Sequence, residues 1–125
     1  MGKDSAIHRT PALLEDNLKK ALTELLILHL LSLREHYIGE LSERLRTESG
    51  GVLDIVFPYA VIYRMIRTGY IVETNKHNAP DGRRRQFYGI TEEGKQYLIA
   101  LINVYDRFHK GVEKILEVST DESKL

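Results

Sequence analysis

The side chains best able to act on another molecule lie between Tyr59 and Tyr88. Arg83, Arg84 and Arg85 stand in a row. A guanidinium is a permanently charged fork of donors that matches a phosphate. Successive side chains alternate faces on a strand, so two of the three can point outward together and grip phosphates along a nucleic-acid backbone. Upstream, Tyr59, Tyr63 and Arg67 recur one helical turn apart, with Ala60 and Arg64 beside them. Such a face can enter a major groove, where small and aromatic side chains touch bases and arginines reach guanines or phosphates. The same face would serve equally well as a protein interface, and a charge run is otherwise a solvated surface.

Catalytic chemistry is poorly represented. The chain has no Cys, which excludes a disulfide framework, thiolate zinc sites and a cysteine nucleophile. No two of His8, His29, His36, His77 and His109 fall three or four apart, as a metal-binding helix face with its carboxylate would need, and there is no phosphate loop or nucleophile elbow. His29 lies in the most apolar stretch and reads as a core histidine. Glu92 and Glu93 point apart on a helix and serve as favourable charges at its positive end. The expectation is a non-enzyme with no cofactor and no metal.

The elements that must hold these residues can be read from periodicity. With 125 residues and 42% hydrophobic side chains, the chain has the size of one globular domain. Thr10-Pro11 starts a helix, Thr at the cap and Pro at the first position, and apolar residues at helical spacing carry it to about Leu33. A break at residues 34–36 precedes a second helix from about Tyr37 to Thr47, ended by Gly50 and Gly51. The third helix can begin after Asp54 or after Phe57, with Pro58 at its first position, and runs to about Thr68. Ile55, Pro58, Ile62, Met65 and Ile66 form its core face. Residues 70–74 read as a strand, the Asn75–Gly82 stretch as turn, and Arg83–Ile90 as the returning strand with Phe87 or Tyr88 facing inward. Three helices followed by a hairpin is the order of a winged helix-turn-helix.

Thr91 caps a last helix that reaches about Glu117, roughly 38 Å long. Leu98, Leu101, Tyr105, Phe108, Val112 and Ile115 step by threes and fours, a heptad seam suited to pairing with a second copy of the chain. The alternative is that this stripe packs on its own core. The expected division is 1–15 as leader and start of the first helix, 16–90 as the winged helix-turn-helix, 91–118 as the dimerisation helix and 119–125 as a frayed tail. The fold class is mainly α with a small β-hairpin.

Charge and hydropathy add two constraints. Eighteen Lys and Arg balance eighteen Asp and Glu. From Tyr59 to Tyr88, however, Arg64, Arg67, Lys76, Arg83, Arg84 and Arg85 face only Glu73 and Asp81, a local net of +4 against −4 elsewhere. Neutrality therefore weakens non-specific attraction to DNA without excluding a specific operator. The densest apolar run, residues 25–31, is far shorter than the ~20 residues a membrane span needs, and Met1–Ser5 is too polar for a signal peptide. A soluble, cytoplasmic protein with no membrane partner is expected.

On these residues the sequence resembles the PadR family of transcriptional regulators over about Leu18–Leu116. Glu24-Leu25-Leu26-Ile27-Leu28 is similar to that family's first helix, and His36-Tyr37-Ile38-Gly39-Glu40-Leu41 to its His-Gly-Tyr-Glu-Ile segment with the glycine displaced. Tyr59, Ile62, Arg64 and Met65 before Gly69-Tyr70-Ile71 resemble the recognition helix, although the family's Pro after the tyrosine is Ala60 here. The run from Gly82 to Gly94, Gly-Arg-Arg-Arg-Gln-Phe-Tyr-Gly-Ile-Thr-Glu-Glu-Gly, is similar to the family's wing at most positions. The resemblance implies a homodimeric DNA-binding repressor of a double-stranded, two-fold operator. Tyr59 and Arg83–Arg85 would touch DNA, and the last helix would make the dimer. Some relatives release DNA on binding flat aromatic ligands near the dimer interface, which would add a small aromatic effector. Relatives with a drug pocket use a tryptophan there; this chain has none, leaving Tyr105 and Phe108 to line one. The competing reading is a winged-helix protein-interaction module.

Overall fold

The computed structural model describes residues 10–124, with side chains as far as Glu117; the polar leader at 1–9 lies outside the described residues. Helix α1 (Pro11–Leu33) starts as expected, with Thr10 extended and Pro11 at the first position. It buries Thr23, Ile27, Leu28, Leu30 and Leu31. His29 is exposed, which corrects its reading as a core histidine. The buried histidine is His36, at 0% exposure.

His36 belongs to an element that periodicity does not announce, the two-residue strand β1 (His36–Tyr37). It leads directly into α2 (Ile38–Glu48), whose single stripe of Ile38, Leu41 and Leu45 faces the core. Helix α3 (Pro58–Arg67) follows, which decides between the two possible starts in favour of Pro58. Its buried face is Val61, Ile62 and Met65, with Ile66 half-buried.

Strands β2 (Ile71–Asn78) and β3 (Arg84–Ile90) pair antiparallel, and β1 adds on the far side of β3, giving the order β1-β3-β2. The Asn75–Gly82 stretch is therefore not all turn. Strand β2 continues through Asn78 past an irregularity between Glu73 and Lys76, so the longer hairpin arm overrides the turn-forming residue types at 75–78. The reversal is confined to Ala79–Arg83, where the Gly82 N–H donates to the Ala79 carbonyl and Gly82 takes φ +82°. Arg83 falls in that turn rather than in the strand. Phe87 and Tyr88 are both buried, because adjacent strand residues face opposite sides and both sides of β3 are covered. Tyr88 joins the main core, while Phe87 sits under Tyr37 (ring centroids 5.4 Å) and His77 (3.7 Å).

Helix α4 (Glu92–Lys124) runs past the Glu117 end read from the sequence. Thr91 caps it: its hydroxyl accepts from the Gly94 N–H at 3.0 Å and donates to the Gly69 carbonyl at 2.6 Å. A Cβ at Gly94 would run into the Tyr70 carbonyl, so only glycine lets the first turn of α4 lie against the start of the hairpin. Tyr70 and Tyr97 stack at 4.3 Å across the same junction. Leu98 is 7% exposed and Leu101 packs against the same cluster. Leu98 is thus buried within its own chain, which leaves it little surface for a seam between copies, while Leu101 is half-buried. From Tyr105 onward the described side chains are exposed, including Phe108 (64%), Val112 and Ile115 (69%).

Candidate nucleic-acid interface

The outer face of α3 presents Tyr59, Ala60, Tyr63, Arg64 and Arg67, all exposed. Tyr59 and Tyr63 lie one turn apart with ring centroids 6.3 Å from each other. Tyr63 in turn sits by the Tyr88 phenol, whose burial pushes its pKa up to about 12 and keeps it a neutral hydroxyl. Arg67 makes no ion pair among the described residues. Arg64 is engaged: its Nε and Nη2 both donate to Glu24 of α1, at 3.0 and 2.8 Å.

The three arginines of the hairpin separate into two kinds. Arg85 is half-buried, donates to the Asp81 carboxylate at 2.9 Å and lies 5.4 Å over the Tyr37 ring. Its Nε is buried without a hydrogen-bond partner among the described residues. Asp81 is held below the usual carboxylate range, first by that guanidinium and then by the Arg83 backbone N–H. Arg83 and Arg84 are exposed and carry no ion pair among the described residues, and Lys76 on the neighbouring strand is likewise exposed and unpaired.

The wing and α3 meet at a cleft of about 210 Å³ lined by Tyr37, Ile38, Gly39, Tyr59, Arg84, Arg85, Gln86 and Tyr88. Tyr59 and Arg84, which the sequence marks separately as groove and phosphate residues, therefore line one concavity. Tyr37 and Gln86 carry no comparable mark in the sequence. Their signal is tertiary, because it depends on β1 pairing with β3 through His36↔Tyr88 and Tyr37↔Phe87.

The root of the wing is anchored by polar contacts. Glu35 accepts hydrogen bonds from the Thr74 hydroxyl (2.8 Å), the Asn75 amide (3.0 Å) and the His77 ring at Nε2 (2.9 Å). Those donors, His77 first, hold Glu35 down to about 2, and Glu35 raises His77 above the ordinary histidine value. Buried His36 is set the opposite way. Its Nδ1–H donates to the Arg34 carbonyl at 2.9 Å and its Nε2 accepts from Arg44 Nη1 at 2.8 Å. Burial lowers its pKa and keeps the ring neutral.

Phe57, at the leading end of α3, is marked by the sequence only as a candidate cap. It is 76% exposed and takes φ +55°, ψ +60°. A left-handed conformation costs a residue with a Cβ roughly 1–2 kcal/mol. Among the described residues no group of His, Asp and Glu is arranged to hold a metal ion, and no helix is long and apolar enough to cross a membrane.

The geometry has counterparts in known proteins. Residues 27–100 match the family model described as the transcriptional regulator PadR-like family. A comparison with curated proteins finds no match. Among solved structures, a PadR family transcriptional regulator from Eggerthella lenta is similar with a TM-score of 0.71 at 21% identity, covering 94% of this chain and 97% of that one. A PadR-like transcriptional regulator from Bacillus cereus is similar at 0.68 and 25% identity, covering 80% and 96%. A transcriptional regulator from Clostridium thermocellum is similar at 0.67 and 24%, covering 78% and 96%. The expected architecture, a mainly α winged helix with a long last helix, is the one these structures share.

Proposed function

The chain belongs to the PadR-like family of transcriptional regulators, which bind DNA and catalyse nothing, and from that premise we propose that it acts as a cytoplasmic homodimeric repressor of a two-fold operator. The observation that carries this reading is the shared cleft of Tyr59 and Arg84, which brings the start of α3 and the wing to one surface. In the proposed complex α3 enters a major groove, with Tyr59, Ala60, Tyr63 and Arg67 toward the base edges. Lys76, Arg83 and Arg84 bind phosphates from the wing. Arg64 and Arg85, each held by a carboxylate, orient α3 and the wing respectively.

Residues 16–90 together with the buried start of α4 form the DNA-binding unit. The exposed stripe Tyr105, Phe108, Val112 and Ile115 pairs two copies, since contiguous apolar surface of this size is uncommon on a monomer. Half-sites then lie about one helical turn apart, roughly 34 Å. Occupying such a site blocks transcription. A groove of about 390 Å³ between α1 and α4, lined by Leu18, Leu25, Tyr97, Leu101, Tyr105 and Phe108 among others, suits a small flat aromatic effector.

Fluorescence polarisation with a pool of genomic fragments tests the proposal. Tight, salt-dependent retention of a few fragments is expected. Absent, sequence-blind or salt-insensitive binding would instead favour a winged helix that docks a protein through its tyrosine face.

A further inference from the structure

Among the described residues, five take a left-handed backbone conformation, and four of them are glycines: Gly50, Gly51, Gly69 and Gly82. The fifth is Phe57. Glycine adopts this region without steric cost, whereas a side chain with a Cβ resists it. Strain of this kind persists where the surroundings enforce it, and it clusters at functional sites.

The fold gains little from the phenylalanine ring itself. Phe57 is the N-cap of α3, but its side chain makes no capping hydrogen bond. Its helical contribution is made by the backbone, whose carbonyl accepts from the Val61 N–H at 3.2 Å. Nor is the ring packed away. It borders a cleft formed by Lys20, Thr23, Val56, Ala60, Val61 and Arg64, yet it is the most exposed large apolar side chain of the described chain. Pro58 follows directly and fixes φ of the first helical residue, so the ring is carried at the leading end of the helix, two residues ahead of Tyr59.

Residues at the N-terminal end of a recognition helix are the ones that reach base edges. The apolar group displayed on the floor of a major groove is the thymine 5-methyl, and apolar side chains such as phenylalanine contact it. We infer that Phe57 is a specificity-determining residue that reads a thymine methyl in the operator, and that its strained backbone is retained to present the ring there. This rests on the DNA-binding reading above.

The test begins with the duplex that the wild-type full chain enriches most strongly from a randomised pool. Its thymidines are replaced one at a time by deoxyuridine, and binding is measured with wild type and with Phe57→Gly and Phe57→Asn, whose residues tolerate the left-handed backbone. At one position in each half-site, deoxyuridine should weaken wild type about fourfold, the worth of one buried methyl group. The same replacement should leave both variants unaffected, while their melting temperatures equal or exceed that of wild type. The inference is overturned if the deoxyuridine loss is identical in wild type and variants, if no thymidine matters, or if both variants melt well below wild type. Failure of wild type to enrich any duplex would instead remove the DNA-binding reading, and the inference with it.

Discussion

Arg64 on the outer face of α3 reaches back to α1 and places both Nε and Nη2 on a single carboxylate oxygen of Glu24. An arginine that the sequence places on the groove face thus also ties α3 to α1. Arg64→Ala and Glu24→Gln should weaken operator binding by similar amounts, and the double variant by no more than either. The salt dependence should stay unchanged, because neither side chain neutralises a phosphate. For an exposed pair the coupling should be about 0.2–1 kcal/mol in a double-mutant cycle. A slope lower by about one for Arg64→Ala would return the residue to the phosphate-binding set.

Arg83 and Arg84 should behave in the opposite manner. Replacing each with alanine is expected to weaken binding to all duplexes alike. It should also lower the slope of log K against log salt by about 0.9 for every phosphate left without its guanidinium. Titrations at several salt concentrations provide the measurement. Arg85→Ala should cost more than its charge, since Asp81 and the Tyr37 ring both lose their partner.

The apolar stripe of α4 divides into two halves with different consequences. Phe108→Glu or Ile115→Glu should leave the melting temperature of the DNA-binding unit nearly unchanged and yield monomers in sedimentation, because both side chains stand exposed on a single chain. Leu101→Glu should instead destabilise the fold by about 2 kcal/mol or more, since it buries a charge against the core. Dimers that persist in Phe108→Glu, Val112→Glu and Ile115→Glu alike would remove the seam.

His36 ties stability to pH. Its folded pKa lies below the unfolded value of 6.5, so the unfolded chain binds the extra proton first. Its contribution is fully present above pH 6.5 and is lost as pH falls from there through the folded value. Urea unfolding measured at a series of pH values should show this decline, and His36→Gln should flatten it. His36→Ala also deprives Arg44 Nη1 of its acceptor, at about 1–3 kcal/mol.

His77 runs the other way. Its pKa is raised by Glu35, so its contribution is complete below 6.5 and fades as pH rises through the folded value. Histidine proton NMR should place His77 and His36 on opposite sides of 6.5, and Glu35→Gln should bring His77 back toward it. A His77 titration indifferent to Glu35 would mean that the hydrogen bond at 2.9 Å does not form in solution.

Much of this architecture is legible in the sequence because its signals are local. Thr10-Pro11, Thr91 with Glu92 and Glu93, and the tyrosines spaced along α3 each announce themselves within a turn or two. The features that stay hidden depend on distant partners. His36–Tyr37 becomes a strand only because β3 offers it a free edge, and two residues carry no periodicity. Glu24 and Arg64 lie forty positions apart and nothing local couples them. The heptad of α4 is a true period, yet spacing alone cannot tell a stretch that closes its own core at Leu98 from one left exposed at Phe108. Phe57 is marked in the sequence only as a possible cap, because its oddity is a dihedral angle and composition does not encode one.

The continuity of α4 has a mechanical consequence. One unbroken helix, 33 residues and about 50 Å long, is wedged at Gly94 against the hairpin and carries the exposed apolar stripe further along. With no joint between them, the reading head and the handle turn as one piece. In the proposed dimer, two such pieces crossed at their handles would behave like a caliper, in which a small change of crossing angle becomes a large change in the gap between the heads. Operator spacing would then be gauged by the stiffness of a helix far from the DNA, and whatever pries the handles apart would miscalibrate the instrument without touching its jaws.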